Sequence, residues 1–157
     1  MAAGYVVKTG TTATALVGAT AKTVVNLIAA ATKSALVTEF SISFDGVTAS
    51  AVPVLVDLGY STQATAGTPG TSPTPTQIRG RGTAALTAAV DYSAEPTALT
   101  AFKHWLVTPN GGLLVIQFPL GRESQGDLSG GTNKAQFLRG NAPANVNCRA
   151  YMEFEEE

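Results

Sequence analysis

The chain has 157 residues, of which 45% are hydrophobic and only 13% charged, with a formal net charge of -1. A chain of this size forms one domain whose core needs no staple, and its single cysteine leaves no intrachain disulfide to make. The near-neutral balance excludes the basic footprint of a nucleic-acid binder. No apolar run approaches the roughly 20 residues of a spanning helix, and one His with one Cys excludes a Cys/His zinc site.

The missing charge is replaced by small residues: 25 Ala, 21 Thr and 16 Gly. A surface of hydroxyls, methyls and backbone is less strongly hydrated than a charged one and suits contact with other protein. Met1-Ala2-Ala3-Gly4-Tyr5 has no basic segment leading into an apolar run, so no secretory signal is expected and the chain is expected to be made in a cytoplasm.

Taken in order, residues 1–20 read as an N-terminal arm, with one short strand around Ala15-Leu16-Val17. Residues 21–157 read as the domain proper. KTVVNLIAAA (22–31) has the Ala content of a helix, but its β-branched residues are stiff in one and nothing caps its start, so it reads as a strand. ALVTEFSISF (35–44) alternates, with Leu36, Phe40, Ile42 and Phe44 on one face and Val37, Glu39, Ser41 and Ser43 on the other. Asp45-Gly46 turns the chain. In VPVLVDLGY the residues Val52, Val54, Val56 and Leu58 share a face, and Pro53 puts the strand's start, or the strand itself, at a sheet edge.

Residues 61–83 form a long Thr/Pro/Gly/Ser loop ending in Arg79-Gly80-Arg81. Loops of this length in a compact domain are often functional. AALTAAVDY (84–92) reads as a strand. Residues 98–108 alternate again, Phe102, His104 and Leu106 against Lys103, Trp105 and Val107. Pro109-Asn110-Gly111-Gly112 is a hairpin signal, and the near-continuous apolar run LLVIQFP (113–119) predicts burial on both faces. A polar loop (120–133), the strand KAQFLRG (134–140) and NVNCRAYMEF (145–154) complete the chain. In the last, Val146, Cys148, Ala150, Met152 and Phe154 point inward. About eight strands and no helix predict an all-β fold, a β-sandwich or a small barrel, with a single antiparallel β-sandwich preferred.

No catalytic motif is present: no nucleophile elbow, no phosphate loop, no dinucleotide fingerprint. His104 stands alone among apolar neighbours. Cys148 alternates with core residues and reads as a small buried hydrophobe. No cofactor or metal is expected. The acidic run Glu153, Glu155, Glu156, Glu157 reads as a solvated tail, or as a contact for a basic partner.

The succession KTVVNLIAAA, FSISFDGV, VPVLVDLGYST, SAEPT, PNGGLLVIQFPLGRE and ANVNCRAYMEFEE resembles the small β-sandwich decoration, or cement, proteins of tailed-bacteriophage capsids. The resemblance covers residues 22–156 and leaves out the arm and the Pro/Thr loop. It implies a jelly-roll-like sandwich on the outer surface of a virion head, without an active site. It further implies that the chain groups as a homotrimer and stabilises the shell by bridging copies of the major capsid protein. The arm and the two long loops are the candidate contact elements, with Tyr5, Leu16, Val17, Arg79, Arg81, Arg122 and Trp105 as candidate contact residues. Two other roles fit the same composition. One is a host-glycan-binding ornament, which would use outward aromatics such as Trp105 and Tyr151. The other is a tail or connector component.

Overall fold

A computed structural model describes residues 3–47, 52–126 and 134–157. They form twelve strands: β1 (Gly4–Lys8), β2 (Thr14–Leu16), β3 (Ala21–Ile28), β4 (Ala35–Phe44), β5 (Val54–Ser61), β6 (Thr76–Arg79), β7 (Thr87–Val90), β8 (Leu99–Val107), β9 (Leu113–Gln117), β10 (Ser124–Gln125), β11 (Ala135–Asn141) and β12 (Val146–Glu156). All strand pairs are antiparallel, in two sheets. The seven-stranded sheet has the order β10-β4-β12-β1-β6, with β2 also on β12 and β9 also on β4. The five-stranded sheet has the order β7-β3-β11-β5-β8. One apolar core joins them: Phe40, Ile42, Met152 and Phe154 from the first sheet meet Val25, Leu27, Leu58 and Leu138 from the second. Gln136 crosses the interior and donates its amide to the Ala35 carbonyl at 2.8 Å. This is the β-sandwich that the alternation predicts.

The strand count exceeds eight because several stretches read as arm or loop are paired. The expected N-terminal arm is not free. β1 lies along β12 from Gly4–Glu155 to Lys8–Tyr151, and β2 lies on the start of the same strand. Tyr5 and Leu16 are buried as a result, with the Tyr5 ring 5.6 Å from that of Phe154. Alternate apolar positions in a low-complexity segment are enough to join a sheet when the neighbouring strand offers an open edge. The 61–83 loop contributes β6, which pairs with β1. The 120–133 loop contributes β10, and its residues 127–133 lie outside those described.

Two facing assignments are corrected. Val37 is fully buried, on the face expected to be outward. The register of β12 against β4 skips Thr38, since Glu153 faces Glu39 but Phe154 faces Val37. This bulge inverts the phase of the residues before it. β9, expected to be buried on both faces, is buried on neither completely, and Leu113 and Val115 stand exposed. It lies at a sheet edge, and among the described residues no layer covers its outer face.

Because Tyr5 is core rather than arm, Tyr5→Ala is expected to cost about 3 kcal/mol, in the range for truncating a buried aromatic. Urea unfolding checks this. A variant with the wild-type midpoint would mean that the segment is a free arm after all.

Candidate partner-binding surfaces

β12 runs the length of the sandwich and carries a recess at each end. At its start, Val146 and Asn147 line a cleft of about 620 Å3 together with Leu16, Val17, Asp45, Val47, Pro109 and Pro143. Asp45 builds one wall: its carboxylate accepts the Asn147 backbone and side-chain N–H groups, both at 3.1 Å. The Asn145 side chain holds the opposite lip by accepting the Gly18 N–H at 2.9 Å. Val17 is 58% exposed and Val47 92% exposed, so the cleft presents apolar side chains on a polar, hydrogen-bonded frame.

At the far end, Phe154 and Glu155 line a trough of about 430 Å3 with Ile78, Arg79, Gln117, Leu120, Glu123 and Glu153. Ile78 is 52% exposed and Leu120 97% exposed. Arg79 is fixed by an ion pair with Glu155. From Val146 to Phe154 is eight strand rises, about 27 Å, which sets the spacing of the two surfaces.

The strands between them display charge in rows. Glu153 faces Glu39, and the next row holds Tyr151 and Ser41 with Lys8. The row after that pairs Arg149 with Ser43. Tyr151 donates its hydroxyl to Glu39 at 2.5 Å, and this bond leads the causes that push its pKa up to about 12. Partial burial, with Glu39 second, raises the Glu153 carboxyl above its ordinary value, and Arg79 opposes this. Among the described residues no ion pair joins these acids to Lys8 or Arg149.

Of the residues singled out in the sequence, Val17 lines the cleft and Arg79 lines the trough. Arg81 and Arg122 are exposed. Tyr5 is in the core, and Leu16 is buried beneath the cleft. Trp105 does not look outward. It is half-buried, with its ring 5.2 Å from that of Phe40. Tyr151 does stand on the outer face. The acidic run is not a loose tail either. β12 extends to Glu156, whose carboxylate accepts the Ala85 and Leu86 N–H groups at 2.6 and 2.9 Å, while Glu157 accepts from Gln125 at 2.6 Å. Sequence reading missed Val47, Ile78 and Leu120. For Val47 and Ile78 the signal was a lone large apolar residue inside a Pro- or Gly-punctuated stretch, whereas Leu120 follows directly on the apolar run 113–119 and gave none.

His104 is exposed on β8. Cys148 is buried, and that burial raises its thiol to about 12. Among the described residues no three His, Cys, Asp or Glu side chains are grouped to hold a metal. Compared with known proteins, the chain matches no family model, no curated protein and no solved structure.

The raised Glu153 carboxyl has a sign. Its proton is held more tightly in the folded chain, so stability is fullest below the ordinary carboxylate pKa of 4.5 and is lost as pH rises through the raised value. Glu153→Gln is therefore expected to raise the urea midpoint at pH 7 and to have little effect at pH 4. A lower midpoint at pH 7 would mean that the attraction of Arg79 outweighs burial and Glu39.

Proposed function

We propose that this chain is a structural virion protein of a tailed bacteriophage, one that binds the outside of the capsid and stabilises the shell by bridging major capsid subunits. The supporting observation is the pair of recesses at opposite ends of one sandwich, each presenting exposed apolar side chains, Val17 and Val47 at one and Ile78 and Leu120 among charged residues at the other. Exposed apolar side chains grouped at a recess suit a surface that other protein covers. Two such surfaces on a rigid body suit a bridge. Once one end is seated, the other meets its target at high effective concentration, so two modest contacts sum to a strong one.

The nearby arginines add specificity more than strength. Arg79 is already paired with Glu155, and Arg81 and Arg122 sit in solvent, where an ion pair contributes about 0–1 kcal/mol. The glycan-binding alternative loses its leading residue, because Trp105 packs on Phe40. A tail or connector component would use the same surfaces on a different target.

The test is binding to capsid shells prepared without this protein. Leu120→Asp and Val47→Asp change exposed side chains and should fold normally. Each is expected to weaken binding about tenfold, or about 1.4 kcal/mol, and to lower the temperature at which decorated shells open. Undiminished binding by both variants would remove the bridging proposal.

A further inference from the structure

The two sheets end in strands that differ in how their edges are protected. Outside β7, Gly70 and Thr71 donate to the Val90 carbonyl at 3.1 and 3.3 Å, and the Val90 N–H donates back to Thr71 at 2.9 Å. β8 carries a bulge at Phe102, where Lys103 faces Leu58 but Ala101 faces Gly59, and Lys103 itself is charged. β6 is four residues long, ends in Arg79 and follows Pro75; β10 has two residues. Short length, charge, proline and bulges are the usual devices that stop an edge from pairing further.

β9, five residues long, has no charge, no proline and no bulge. Leu113-Leu114-Val115-Ile116-Gln117 is uncharged, free of Gly and Pro, and in unbroken register with β4 from Ser43–Leu113 to Glu39–Gln117. Its other edge has no partner strand among the described residues. Leu113 is 65% exposed and Val115 49% exposed beside that edge. The unpaired backbone groups of a strand are matched only by another extended strand, and here the strand suits itself. Antiparallel about Val115, Val115 meets its own image, Leu113 meets Gln117, and Leu114 meets Ile116.

Charge favours this arrangement at low salt. Beyond Gln117 lies the acidic row Glu39–Glu153; beyond Leu113 lies the row of Ser43 and Arg149. Turning one copy about Val115 aligns the acidic row of each with the Arg149 row of the other. A parallel arrangement would instead align the two acidic rows. Glu39 and the facing Arg149 are four strand spacings apart, about 19 Å, against a screening length of about 10 Å at 0.1 M salt. Charge therefore orients the approach at low salt, and the backbone ladder with Leu113 and Val115 holds the contact.

We infer that β9 pairs with β9 of a second copy of this chain, antiparallel about a twofold axis through Val115, so that the seven-stranded sheet continues from one copy into the next. The contact is isologous, and it is separate from the capsid proposal: it gives pairs of chains, where the resemblance in the sequence implies trimers.

Sedimentation equilibrium on the purified chain tests it. The expected mass is twice the 16.0 kDa of one chain. Val115→Lys and Val115→Glu each place like charges face to face on the axis, which destabilises a strand pair, and each should sediment as one chain. Mixed in equal amounts, the two variants should recover the doubled mass, a rescue that only a contact of Val115 with its own image produces. In the wild type, β9 amides should exchange with solvent at least tenfold more slowly in concentrated than in dilute solution. A wild-type mass of one chain or of three, a doubled mass for Val115→Lys alone, or β9 exchange independent of concentration would overturn the inference.

Discussion

The ladder made by β12 is the interaction on which the rest of the structure depends. Its eleven residues pair with β4 along one side and with β1 and β2 along the other. One face sends Cys148, Ala150, Met152 and Phe154 into the core, all buried. Burying a side chain of the size of Met152 or Phe154 contributes about 1.5–3 kcal/mol. The other face carries Arg149, Tyr151 and Glu153, and with them the charge rows of the outer surface. Chain ends are commonly frayed, but here the described N-terminal residues and the C-terminus are one another's neighbours. Glu155 and Glu156 extend that tie to Arg79 and to the backbone of Ala85 and Leu86.

The same ladder explains what could be read directly from the residues and what could not. The alternation of Val146 to Phe154 is legible because β12 is central and every inward position is filled from both sheets. The facing of Leu36 and Val37 is not legible in the sequence, because the bulge at Thr38 depends on how β12 registers against β4, a nonlocal fact. The run LLVIQ looks like a buried strand because composition reports apolarity and not position in the sheet. At an edge the same residues become surface. Tyr5 reads as arm because Ala, Thr and Gly around it mask a strand whose partner lies at the other end of the chain. The acidic run looks solvated until its hydrogen-bond partners, Ala85, Leu86 and Gln125, are brought in by the fold.

Of the candidate surface, the arginines are legible in polar loops and Val17 in a short apolar patch of the N-terminal segment. Their grouping is not. Ile78 and Leu120 are 42 positions apart in sequence and share one trough because β6 joins β1 while the chain after β9 passes β4. Val17 and Val47 meet through the β2–β12 pairing and the end of β4. The result is a group of exposed apolar side chains at each end of β12, a polar frame around each, and a long sheet fixing the distance between them. The unprotected edge of β9 adds a third surface of a different kind, one that backbone pairing would satisfy.

The bridging account requires that the protein cover the lattice of the head rather than a single vertex or the tail. Its copy number relative to the major capsid protein in purified virions, measured by quantitative mass spectrometry, tests this most directly. The account predicts a ratio near one or a simple fraction of it. A ratio of a few per cent would place the chain at a vertex or in the tail, and its absence from virions would contradict the account altogether.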